Sequence, residues 1–202
     1  MRGICLALIC LGLLSGCGGG LVASGVSPEL SPSESTLWTL RLGRADREIF
    51  SGILALRNEG DVIRAVLLDS TGIKLLEENI FRSGEVTVIK ALAAVKDKRL
   101  PSFLGEGLHR LFFSSGGFGG EVCRPDGIAS LCLGEKGPGR LVKLRRFGPF
   151  VLWRAEYFIN DHGSGVLVNR ARLNSFWPAP YLDLRKKVEA GYPAGRSDGK
   201  DR

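Results

Sequence analysis

Histidine is almost missing: the 202 residues hold two, His109 and His162. With so few, and with no Asp or Glu cluster at ligand spacing, the common zinc arrangements are excluded. Neither histidine falls in a catalytic pattern. His109 follows Leu108 on a helical stripe and reads as a boundary residue, and His162 sits in the turn sequence Asn160-Asp161-His162-Gly163. The Gly-Ser-Gly that follows lacks the Gly-x-Ser-x-Gly spacing of a nucleophile elbow. Gly116-Gly117-Phe118-Gly119-Gly120 lacks the Gly-Lys-Ser/Thr ending of a phosphate loop. No catalytic residue, metal site or cofactor is expected, and the chain reads as a non-enzyme. Long apolar runs are missing too. None reaches the roughly 20 residues of a membrane-spanning helix, and no repeat period is present.

What is there begins with an address. Met1-Arg2 is followed by the apolar run Ile4–Leu14 and then by small residues, the order of a secretory signal. Leu14-Ser15-Gly16-Cys17 resembles a bacterial lipobox. The resemblance implies that Cys17 receives a diacylglycerol, that residues 1–16 are removed, and that the new N-terminus is acylated with a palmitate-like chain. Each buried methylene adds about 0.8 kcal/mol, so several chains would hold a membrane durably. Gly18 stands where an aspartate often signals inner-membrane retention, which implies the outer membrane, with the protein facing the periplasm. Residues 17–36 read as a lipidated tether, Gly-rich and then Ser/Pro-rich. Residues 37–190 read as one folded domain and residues 191–202 as a disordered tail.

Charge is uneven. Residues 17–120 hold 12 Lys/Arg and 12 Asp/Glu, whereas residues 121–202 hold 15 and 9. A basic half attracts anionic partners. In an extracytoplasmic compartment these are anionic lipid or an acidic carrier protein, not nucleic acid; a solvated outer sheet face is the alternative. Of five cysteines, Cys5 and Cys10 lie in the signal and Cys17 is the anchor. Cys123 and Cys132 remain, with the turn sequence Pro125-Asp126-Gly127 between them. An oxidising compartment favours their disulfide, against two buried thiols.

Strand-length runs with Gly-containing turns occupy residues 47–57, 61–69, 73–81 and 85–91, the pattern of antiparallel hairpins. Both faces of residues 61–69 are apolar, so something covers much of each side. Leu100, Phe103, Leu104, Leu108, Leu111 and Phe112 recur at helical spacing and predict a helix over Asp97–Phe113. Gly105 and Gly107 weaken it by about 1 kcal/mol each, which predicts a bent or loosely held helix. Strands resume over residues 121–124, 128–134, 140–147, 150–160, 165–176 and 181–188. The chain is therefore mainly β with a covering helix.

The stretch FSGILALRNEGDVIRAVLLDSTGIKLLEENI (residues 50–80) resembles the opening of lipoprotein carriers and receptors of the LolA/LolB-like class. Residues 151–190 are similar to their last strands, and the layout is nearest to small LolB-like outer-membrane lipoproteins. The resemblance implies a strongly curved, unclosed antiparallel half-barrel with a helical lid over a cavity for acyl chains or a lipidated protein. Phe50, Leu54, Val66, Leu68, Leu75, Val88, Phe103, Leu104, Leu108, Trp153 and Tyr157 are the expected lining. The turn Asp69-Ser70-Thr71-Gly72 lacks the exposed leucine that the receptor inserts into membrane. Two other readings stand beside the carrier: a ligand-free accessory lipoprotein docking through its basic half, and an esterase on envelope lipids.

Overall fold

Turn chemistry sets the strand boundaries. Gly60 and Gly84 have φ of +87° and +93°, a region open to glycine at no steric cost. They close the turns after Asn58 and Phe81. The computed structural model describes residues 35–96, 99–113, 122–161, 166–175 and 180–187. In chain order these form β1 (Ser35–Arg44), β2 (Arg47–Asn58), β3 (Val62–Leu68), β4 (Lys74–Phe81), β5 (Val86–Ala91), α1 (Ala93–Lys96), α2 (Leu100–Phe112), β6 (Val122–Asp126), β7 (Ala129–Glu135), β8 (Arg140–Phe147), β9 (Phe150–Asp161), β10 (Val166–Ser175) and β11 (Tyr181–Lys186).

All eleven strands make one sheet in the order β5-β4-β3-β2-β1-β11-β10-β9-β8-β7-β6. Every neighbouring pair is antiparallel. β1 lies in the middle; β2 to β5 meander to one edge, and β6 to β11 run from the other edge back until β11 pairs with β1. β5 and β6 do not pair, so the sheet is unclosed. Mainly β, antiparallel, open and helix-covered is the class expected from the sequence.

The sheet is also strongly curved, and α2 shows why. Gly105 lies against Val86 of β5, while the carbonyl of Arg110 accepts a hydrogen bond from Lys143 of β8. β5 and β8 are eight strand spacings apart, or ~38 Å on a flat sheet. Residues 105 and 110 are about 7.5 Å apart along a helix, and a lysine side chain adds only a few ångström. Only a sheet curled around α2 brings both strands to it.

The inner face is apolar along almost every strand. Trp38, Leu40, Leu54, Leu56, Ile63, Ala65, Leu67, Leu76, Ile80, Ala155, Tyr157, Leu173, Leu182 and Leu184 are buried there with Leu104, Leu108, Leu111 and Phe112 of α2. β1 was not legible as a strand in the sequence. It opens at Ser35, inside the stretch read as tether. Thr36 is buried beside Trp38 and accepts a 2.8 Å hydrogen bond from its Nε1. α2 is shorter than expected at its N-terminus, with a proline in its first turn and no side-chain cap from Arg99. Cys123 and Cys132 face each other across β6 and β7 and form a disulfide.

Candidate functional site

The helix-covered concave face is where the sequence places its candidate residues. Leu54, Leu104, Leu108 and Tyr157 are fully buried in it, and Trp153 is nearly so. Phe50, Leu75 and Phe103 are half-buried and pack against the same core. Val66 and Leu68 fall on the opposite face, because the β3 register turns Ile63, Ala65 and Leu67 inward. A slip of one residue reverses every side chain of a strand. Their outer surface is shaded by cross-strand neighbours, Ala55 and Glu77 around Val66, and a second layer is not seen among the described residues. Val88, at 46% exposure, lies on the edge strand β5, where the register shifts opposite Glu77 and Glu78.

Three polar groups in this interior escaped the sequence reading. Lys143 on β8 is buried and donates to the carbonyls of Arg110 (2.5 Å) and Phe113 (3.4 Å). Its ammonium also lies 5.5 Å from the centre of the Trp153 ring. Tyr157 on β9 donates to the carbonyl of Leu111 at 2.7 Å, and burial raises its phenol pKa. The last turn of a helix leaves carbonyls without partners and carries negative partial charge. Lys143 and Tyr157 supply the donors, and one of them is a cation. The C-terminal end of α2 is thus latched to the far half of the sheet. On its other side, His109 Nε2 lies 3.1 Å from the carbonyl of Arg82, and the Arg82 guanidinium sits over the Phe113 ring.

The third group is Glu78. It shares the inward face of β4 with Leu76 and Ile80 and is 0% exposed. Neither carboxylate oxygen has a hydrogen-bond partner among the described residues. Burial alone pushes its pKa up to about 8, so at neutral pH the group is mostly a neutral acid. Its neighbour Glu77 faces outward and behaves oppositely. Lys74 and Arg64 hydrogen-bond it and hold its pKa below the usual carboxylate range. The period-two pattern of KLLEENIF could have placed Glu78 inward, and that of RLVKLRRF could have done the same for Lys143.

The glycines of α2 act through space as well as propensity. A Cβ on Gly105 would lie 2.6 Å from Cγ1 of Val86, whereas one on Gly107 would lie 3.3 Å from the flexible end of Leu182. Gly105 lets the helix meet the β5 edge closely. Gly105→Ala should therefore destabilise by about 1–3 kcal/mol despite its better helix propensity. Gly107→Ala should be neutral or stabilise by up to about 1 kcal/mol. Urea unfolding of the two variants checks this contrast.

On the outer face, Arg140, Arg154, Arg170 and Arg185 surround the shielded carboxylates of Glu156 and Asp183. Arg140 and Arg170 both stack on Phe158. Four arginines close on two carboxylates, so this outer face keeps part of the basic excess of the second half. No group of three His, Cys, Asp or Glu among the described residues could hold a metal ion. No helix among them is long and apolar enough to cross a membrane. Cys17, His162 and the glycine-rich stretch 114–120 lie outside the described residues.

The chain is thus an open, curled antiparallel sheet wrapped on a latched helix. No protein-family model matches it, and no curated protein does. Among solved structures it is similar to a DUF1329 family protein from Desulfovibrio piger, with 10% identity and a TM-score of 0.37 over 80% of this chain and 88% of that one. It is also similar to a domain described as an outer-membrane lipoprotein-sorting protein from Vibrio parahaemolyticus, with 9% identity and a TM-score of 0.31 over 78% and 85%.

Proposed function

We propose that this protein is an outer-membrane lipoprotein, anchored through Cys17 and facing the periplasm, that holds an acyl chain of a lipid or lipidated partner between the concave sheet and α2. One observation carries the reading: an unclosed sheet, apolar along its inner face, is covered by α2, whose side chains could be exchanged for an alkyl chain. Such a site binds by apolar area, at about 25 cal/mol per Å², with few polar contacts. In the closed arrangement the interior is filled by Leu104, Leu108, Leu111 and Phe112. Binding therefore requires α2 to lift. The Lys143 and Tyr157 contacts hold its C-terminal turn, so the uncapped N-terminal end is the part that moves.

The test locks α2 to β5. The Cβ position of Gly105 is 3.2 Å from Cβ of Val86, so a shift of a few tenths of an ångström brings the pair into the range a disulfide spans. With Gly105→Cys and Val86→Cys together, oxidation should abolish uptake of a fluorescent fatty acid, and mild reduction should restore it. Uptake through the closed crosslink would show that α2 is not the gate. Absence of uptake in the unmodified protein would leave the accessory lipoprotein, docking through the basic half, as the reading.

A further inference from the structure

The two rims of the sheet differ in chemistry. In an antiparallel meander successive turns alternate between ends. The β1–β2, β3–β4, β6–β7 and β8–β9 turns therefore share one rim, opposite the end where β1 begins. The turns of the other rim carry Glu59, Asp61, Arg82, Glu85 and Lys136, and no exposed large apolar side chain among the described residues. The first rim carries several. The boldest are at two adjacent hairpin tips: Ile128, 88% exposed, on β6–β7, and Phe147 and Phe150, 51% and 62% exposed, on β8–β9.

These tips are neighbours, because β7 pairs with β8 and Ser130 lies opposite Arg146. Both are braced. The Cys123–Cys132 disulfide ties the first hairpin. Pro149 and Gly148, at φ +54°, shape the second. Large apolar side chains on rigid, water-facing tips lower solubility without adding to the core, and a rim of them marks an interaction site. The charges beside them choose the partner. Arg145 and Arg146 flank the tips, and Asp126 pairs with Arg145 at 2.9 Å. Arg146 is exposed and meets the Cys123 sulfur at 3.9 Å, not a carboxylate. Apolar and aromatic side chains ringed by cations match the interface of an anionic bilayer, where rings sit at headgroup level and cations meet phosphates.

We infer that the paired hairpin tips, Ile128 on one and Phe147 and Phe150 on the other, enter the interface of an anionic phospholipid bilayer, with Arg146 at the headgroup phosphates. This contact is separate from any lipid anchor and stands whether or not the interior takes an acyl chain. It would turn the named rim toward the membrane surface.

The test reads the depth of the tip, so a tether elsewhere does not mask it. Full-length Phe150→Trp protein is reconstituted into vesicles of phosphatidylcholine alone or mixed with phosphatidylglycerol, with brominated acyl chains as quenchers. Emission is taken relative to the parent chain, which already holds three tryptophans. The added indole should be quenched in the phosphatidylglycerol vesicles and recover at high salt. Adding Arg146→Ala should lower the insertion constant roughly fivefold, the effect of about one surface cation. Ile128→Ser, on the neighbouring tip, should weaken quenching without altering the fold. An indole that stays water-exposed in anionic vesicles overturns the inference. So does one shielded from aqueous iodide yet untouched by brominated lipid, which would mean that a protein covers the tip. Equal quenching in both vesicles, indifferent to Arg146→Ala, overturns the choice of an anionic surface.

Discussion

Glu78→Met should stabilise the protein more than any other single substitution considered, and the gain should grow with pH. The wild-type carboxyl has a folded pKa of about 8 against 4.5 unfolded, raised by burial alone. A raised acid means that the folded state binds its proton more tightly. Between pH 4.5 and 8 the folded chain holds more proton than the unfolded one, so stability falls as pH rises through this window and levels off above it. Integrated over the window, the loss is on the order of 3–5 kcal/mol. Methionine removes the titration and keeps most of the volume. Below pH 4.5 the variant should still gain about 1–2 kcal/mol, since the neutral acid is buried without a partner. Urea unfolding of both proteins at pH 5, 6, 7 and 8 checks it. Glu77 and Glu156, with lowered pKa values, contribute a constant stability above about pH 4.5 and lose it only below, so they do not obscure the window. Parallel stability curves for the two proteins would mean that Glu78 is satisfied in solution.

The same residue bears on the proposed gate. A group that charges as pH rises, set in the face that α2 covers, makes the closed arrangement less favourable in the alkaline direction. Fatty-acid uptake, if α2 is the gate, should quicken from pH 6 to 8 in wild type and lose that dependence in Glu78→Met.

How far the sequence disclosed this arrangement depended on what each residue type can signal. Gly60, Gly72 and Gly84 punctuate the first hairpins, so β2 to β5 were placed within a residue or two. The stripe Leu100 to Phe112 has helical period and little else, and α2 followed from it. β1 was hidden because Ser35 and Thr36 continue a Ser/Pro-rich run. Only the pairing of β1 with both β2 and β11 shows that its alternation belongs to the centre of the sheet. Which face of β3 points inward was not readable, since Val66 and Leu68 are as apolar as Ile63 and Leu67. Register places Ala65 opposite Leu56 and Glu78, but the inward side is fixed only by which face α2 covers, and the pattern of β3 itself carries no trace of that. Gly105 looked like a weak point of a helix. Its value lies in contact with Val86, which no propensity records. Glu78 and Lys143 share alternating stripes with Leu76, Ile80 and Leu141, so period two places them inward once the covered face of their strands is known.

Lys143→Met should be the most damaging substitution outside the apolar core. The methionine retains the packing of the stem but offers no donor to the carbonyls of Arg110 and Phe113. Each buried carbonyl left without a partner costs about 1–3 kcal/mol, and a cation at a partly buried helix C-terminus contributes up to about 2 kcal/mol. Water reaching the loosened turn would recover part of this, so the net loss should be roughly 3 kcal/mol. Tyr157→Phe removes one hydrogen bond, to Leu111, and should cost about 1–2 kcal/mol. Both side chains hold one helical turn, so their effects should not add. Once the first contact is lost and the turn frays, the second has less to hold, and the double variant should be milder than the sum of the two. Hydrogen exchange separates this from general destabilisation. Amides in the last turn of α2 should lose protection first, while those of β1 and β11, at the centre of the sheet, follow global stability. Unchanged protection in that turn would mean that the buried stripe of Leu104, Leu108, Leu111 and Phe112 holds α2 by itself, and that its C-terminal end is not a pivot.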